Sequence, residues 1–193
     1  MRFYLEMMFL FGSYFDSDAQ YPWVEPALSA SPRTLQMMRA DDLHKRALDY
    51  LHAVRGPDNL LLFDALHRLR DLASVRVPDS SDDLMPELAG RLALIYPAKC
   101  EFIGRDALLE LLNASAERAI LSGMREPLGQ ALFAILGFEL GHRFDRDPLY
   151  AWAGHIIRSA SMGDGNRRAE RLRDAAIRYL DGALRAAPPA VGS

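Results

Sequence analysis

With 193 residues, half of them apolar, the chain is long enough for one domain whose core needs neither disulfide nor metal. Its formal net charge of −3, with acidic and basic residues interspersed, does not provide the basic face of a nucleic-acid binder. The apolar run from Phe3 to Phe11 is broken by Glu6 and falls well short of the roughly 20 residues a membrane span requires. A lone cysteine, Cys100, forms no internal bridge, and no N-terminal stretch has the order of a secretory signal, so a reducing, cytoplasmic location is expected.

Taken in chain order, apolar residues recurring at helical steps predict helices at about 2–13, 22–29, 33–54, 58–74, 82–96, 105–122, 126–142, 149–160 and 166–186. Ser31-Pro32 and Asp58 stand where N-caps belong, Gly56 and Gly123 where helices stop, and Pro86 early in its helix. Leu61, Leu66, Leu69 and Leu72 make one buried stripe; Leu108, Leu112, Ala116 and Ala119 make another. Leu128 to Leu140 is apolar on nearly every side and predicts the central helix. Longer loops are expected at Val75 to Asp79 and Ser161 to Gly165, and the tail 188–193 should fray. The fold class that follows is all-α: a single helical domain over 1–193, built as a bundle of about eight or nine helices.

The chain also repeats itself. Gly12, Phe15, Asp16, Asp18, Tyr21 and Trp23 recur as Gly141, Phe144, Asp145, Asp147, Tyr150 and Trp152, always 129 positions on, with no gap. The same offset carries Arg39, Ala40, Leu43, Ala47, Tyr50 and Leu51 onto Arg168, Ala169, Leu172, Ala176, Tyr179 and Leu180. A degenerate duplication follows, with a truncated first copy over 1–56 and a fuller second copy over 57–187. Three readings of the short first copy stay open: the start lies upstream, the missing helices are dispensable, or another subunit covers Phe3, Tyr4, Met7, Met8 and Phe11.

The paired Asp-x-Asp corners are the first candidates for chemistry, because carboxylates on a loop can hold a divalent cation. Helix capping by Asp18 and Asp147, and Asx turns at Asp16 and Asp145, are the structural reading. Tyr21, Trp23, Tyr150 and Trp152 are expected to clamp the corners to the core, each polar tip finding a partner, or else to stack on a ligand. Glu139-x-x-His142 matches half of a di-metal bundle pattern, but ordinary charge pairs on helix faces account for it. His142, His155 and Asp145 could form an acid–base group, with helix-end or surface histidines as the alternative. Cys100 could be activated by Lys99 or simply buried. No phosphate-binding or nucleophile motif is present, and neither catalysis, nor a cofactor, nor a metal is expected.

Ile95 to Cys100 through Gly104, Ala134 to Gly141 and the Phe144-Asp145-x-Asp147-x-x-Tyr150-x-Trp152 corner together resemble a group of bacterial helical proteins found in type VI secretion and polymorphic-toxin gene clusters. The resemblance covers about a fifth of the chain and carries over no catalytic residue. It implies an accessory protein acting by contact: an immunity protein that neutralises a toxin, or an effector chaperone. The expected partner is therefore a toxin, effector or secretion component, for which an acidic patch of Asp79, Asp82, Asp83 and Glu87 is one candidate surface, a solvated, well-capped helix start being the alternative reading of it. Self-association through Phe3, Tyr4, Met7 and Met8 is the homo-oligomer alternative. A ligand-binding protein or enzyme using Asp16, Asp18, Asp145 and Asp147 as two half-sites is the rival from another class.

Overall fold

The computed structural model describes residues 2–29, 36–74, 83–159, 161 and 163–186. Among them the fold is all-α, a multi-helix bundle with no strand. The helices are α1 (Arg2–Phe11), α2 (Val24–Leu28), α3 (Gln36–Arg55), α4 (Leu60–Ser74), α5 (Leu84–Ile95), α6 (Pro97–Ile103), α7 (Arg105–Leu121), α8 (Pro127–Leu140), α9 (Ala151–Arg158) and α10 (Gly165–Arg185). No helix among the described residues is long and apolar enough to cross a membrane.

Local chemistry sets these boundaries. The Asp164 carboxylate opens α10 by accepting from the Arg167 amide at 3.0 Å, and Ala169, Leu172, Ala176 and Leu180 then line its buried face at three- and four-residue steps. Pro97 and Pro127 sit at the first helical position of α6 and α8, where no amide partner is lost. Two details depart from expectation. Residues 97–103 form a separate seven-residue helix, α6, too short to show a period of its own. Asp58 is no N-cap: it lies at φ 51° inside a 3₁₀ turn, Pro57–Asn59, and α4 begins after it. The expected loop at Val75 to Asp79, the Ser31-Pro32 cap and the tail 188–193 lie outside the described residues.

The offset of 129 holds element by element. It carries α1 onto residues 131–140 of α8, α2 onto residues 153–157 of α9, and α3 onto residues 165–184 of α10. Side-chain packing follows the same mapping. Tyr4 and Phe15 have ring centroids 5.0 Å apart, and their counterparts Phe133 and Phe144 are 5.3 Å apart. Tyr50 meets Tyr21 and Trp23 at 5.4 and 6.0 Å, and Tyr179 meets Tyr150 and Trp152 at 5.9 and 5.6 Å. Helices α4 to α7 lie between the copies in the chain and pack on both: α4 touches α3 and α10, α6 touches α3, and α7 runs along α8.

α8 is the central helix. Ala134, Ile135 and Phe138 enter a core shared with α1 to α7, while Leu132, Phe133, Leu136 and Leu140 enter a second core with α9 and α10. The approach to α7 is close: a Cβ at Gly137 would stand 2.7 Å from Ser115 Oγ, so any larger residue there would have to turn that hydroxyl aside.

Candidate functional site

The two corners meet, and they exchange hydrogen bonds. Gly12 and Gly141 end α1 and α8 at φ 92° and 103°, a left-handed turn that suits glycine. The amide just after each glycine then points at the other corner's second aspartate. The Ser13 amide donates to Asp147 Oδ2 at 2.7 Å, and the Ser13 hydroxyl to Oδ1 at 2.6 Å. Reciprocally, the His142 amide donates to Asp18 Oδ2 at 2.8 Å. Each aspartate also holds its own corner: Asp18 accepts from the Gln20 amide at 3.0 Å, and Asp147 from the Leu149 amide at 2.9 Å. Ser13 and His142, Asp18 and Asp147, and Gln20 and Leu149 are all 129-related, so the junction is a pseudo-two-fold axis.

Both carboxylates are buried, and amides of two corners occupy their lone pairs. Burial alone would raise Asp18, but hydrogen bonds from His142 and Gln20, with the nearby imidazole, hold it below the usual aspartate value. Asp147 caps the 3₁₀ turn Pro148–Tyr150. The helix cap expected of Asp18 is corrected: α2 starts only at Val24, after Trp23, and Asp18 instead closes a turn on the Gln20 amide. Both carboxylates also cross to the opposite copy. Asp16 and Asp145 make no Asx turn. Asp16 accepts from the Tyr4 hydroxyl at 2.8 Å, and Asp145 is buried in an ion pair with Arg118. The expected half-sites are thus corrected, since a cation at Asp18 or Asp147 would have to displace protein donors. Among the described residues no three His, Cys, Asp or Glu side chains gather to hold a metal.

Tyr21 and Trp23 do clamp their corner, packing with Phe11 and Tyr50 in the core. Their expected polar partners are missing for tryptophan: Trp23 Nε1 and Trp152 Nε1 are shielded and unbonded. His142 Nδ1 turns to Asp18 at 3.2 Å rather than to His155. Cys100 is buried, and burial pushes its thiol up to about 11 despite Lys99, which makes it a poor nucleophile. Of the acidic patch, Asp79 and Asp82 lie outside the described residues, while Glu87 pairs with Arg91 at 2.6 Å. The α1 surface is also corrected. Met7 and Phe11 belong to the core and Met8 packs against it, whereas Leu5, Phe9 and Leu10, with Tyr4, face solvent. The helical turn places them so, and the side chain of Phe3 lies outside the described residues.

Beneath the corners, the axis opens into a chamber of about 50 Å³ that the sequence did not single out. Tyr21, Tyr50, Tyr96 and Tyr150 line it together with Arg55, Lys99 and Glu139. Two 129-related pairs, Phe11 with Leu140 and Tyr21 with Tyr150, line it; in a third, Leu10 of the first copy is matched by Glu139 of the second. Lys99 Nζ donates to Phe138 O at 2.5 Å and lies 4.5 Å from the Phe138 ring centroid. Burial lowers the Lys99 ammonium, with Glu139 and Asp18 opposing that shift. Burial likewise raises the Glu139 carboxyl, against the pull of Lys99 and Arg55. Glu139 Oε2 is shut off from solvent and has no hydrogen-bond donor. The only sequence signal for this chamber is the 129 offset itself, which marks Tyr21 and Tyr150 as equivalent; Arg55, Tyr96 and Lys99 come from α3, α5's end and α6 and share no motif.

Comparison with protein-family models, with curated proteins and with solved structures finds no match to this chain.

Proposed function

We propose that this protein acts by direct contact with another protein, which docks on the outer face of α1. One observation carries the reading. Leu5 and Phe9 are 50% and 74% exposed, one turn apart on a single helix face, with Leu10 beside them. Their counterparts 129 positions on, Ala134 and Phe138, are fully buried in the core that α5, α6 and α7 contribute. The first copy therefore presents an apolar helix face at the positions where the second copy seats neighbouring helices, and an exposed cluster of this kind suits a binding surface. An amphipathic helix of the partner, lying as α7 lies on α8, is the matching occupant.

A partner from a toxin or effector class, with this protein as its immunity protein, is the particular form we favour, and an effector chaperone is the runner-up. A photoreactive amino acid at Phe9 tests both. Cross-linking in the native host should trap a single foreign chain, and Phe9→Arg should release it while the fold stays intact. If that chain is a toxin whose activity the protein suppresses, immunity is established; if its secretion fails without the protein, the chaperone role is. Cross-links that join only two copies of this protein, or a partner retained undiminished by Phe9→Arg, would overturn the reading.

A further inference from the structure

The chamber on the pseudo-two-fold axis holds opposite charges that do not meet. Lys99 and Glu139 both line it, yet no ion pair joins them among the described contacts. Lys99 spends one of its three N–H groups on Phe138 O, and the other two meet no acceptor among the described residues. Glu139 Oε2 has no donor. Arg55, which reaches Leu10 O at 3.0 Å with one nitrogen, adds a second cation at the side where Leu10 is partly exposed. A carboxylate oxygen shut from solvent without a donor, and a buried ammonium without its full set of acceptors, are each costly, and both are kept here together.

We propose that this chamber is a binding site for a small zwitterion, an amino acid of glycine, alanine or β-alanine size, with its ammonium on Glu139 and its carboxylate on Lys99 and Arg55. The charge pattern selects the ligand. A lone anion would leave Glu139 unpaired, and a lone cation would leave Lys99 unpaired, whereas a molecule carrying both charges completes both ends. The four tyrosine hydroxyls can donate or accept as either end requires. Size selects it further: a buried water needs about 10–15 Å³ on the same scale, so 50 Å³ suits a ligand of a few heavy atoms better than one with a leucine-sized side chain.

The duplication accounts for the polarity of the site. At the 129-related pair Leu10 and Glu139, one copy contributes an apolar side chain and the other a carboxylate, so the lining has acquired a negative charge on one side of the duplication only. Lys99 enters from α6, which has no counterpart in the first copy, and supplies a positive charge. The site shares Leu10 with the outer face of α1, but its test alters neither Leu5 nor Phe9 and does not depend on the partner of that face.

The test is calorimetric titration of the full chain with glycine, alanine and β-alanine, beside acetate, methylammonium and leucine. At least one of the three small zwitterions should bind, while the two half-ligands and leucine should not. Glu139→Gln, nearly identical in shape, should weaken binding by about tenfold to a hundredfold, the cost of losing one charge-assisted hydrogen bond. Lys99→Met should do the same, with helical circular dichroism confirming that each variant is folded. Lack of binding by all three zwitterions, equal binding of acetate or methylammonium, or an undiminished response in Glu139→Gln would each overturn the proposal. Because the ligand series on the unaltered protein already decides, a variant that fails to fold does not rescue it.

Discussion

Asp18 and Asp147 are the residues on which the junction of the two copies depends. Each accepts from its own corner and from the other, so truncation leaves buried amides in both. Asp147→Ala should cost about 2–4 kcal/mol in urea unfolding, well beyond a typical surface substitution; a loss below about 1 kcal/mol would mean that water replaces the carboxylate. Asp18 has a folded-state pKa below its unfolded value. Its contribution is therefore fully present above the unfolded value, near pH 4, and is lost as the pH falls through the lower folded value. Urea midpoints measured from about pH 6 down to pH 2 should decline in that acid window, and the decline should be shallower in Asp18→Asn. Glu139 has the opposite sign. Its carboxyl is raised, so burial favours the protonated form, and stability tied to it is lost as the pH rises through its folded value. Glu139→Gln should accordingly unfold at a higher temperature than the natural chain at pH 8, a case of function kept at the expense of stability.

Among the elements, α1 and α8 are the informative pair, because one is the other's copy in different surroundings. Gly137 of α8 lies against Ser115 of α7, and Gly137→Val should destabilise by more than about 2 kcal/mol through overpacking. The same repeat position in α1 is Met8, which packs against the core with room for its side chain. Phe9→Arg, on the exposed side, should shift stability by no more than about 0.5 kcal/mol. Most helices were legible from their stripes because burial of one face is what fixes them; α3 and α10 begin and end within a few residues of the expected bounds. α6 was not legible, since seven residues beginning at a proline show too little period. The corners were legible as equivalents through their shared spacing, but not as neighbours: an offset says which residues correspond, and says nothing of whether they touch. The chamber was hidden for a related reason. Arg55, Lys99 and Glu139 look like surface charges in the sequence, and only the packing of three distant helices turns them inward.

Over the whole molecule, two hydrophobic cores share one helix. Trp23 belongs to the first core and Trp152 packs against the second, while α8 feeds side chains into both. That sharing makes independent melting of the copies costly, and a single cooperative transition is expected. Fluorescence of Trp23 in a Trp152→Phe background and of Trp152 in a Trp23→Phe background should report coincident urea midpoints, after correction for the stability of each variant. Separated midpoints would mean that the copies unfold on their own and that α8 does not couple them.

The exchange of hydrogen bonds between the corners also bears on how such a chain evolves. An aspartate lost from one copy strands an amide in the other, so neither corner is free to drift alone. Selection then acts on the two as one unit, even though each is encoded separately. Positions without such a tie are free to diverge, as Leu10 did from Glu139 and Met8 from Gly137. A short signature at a constant spacing is the imprint this mutual dependence leaves in the chain. By the same logic a single unit standing alone would leave its corner amide to water, and a second molecule of itself would offer it the same aspartate that the other copy supplies here.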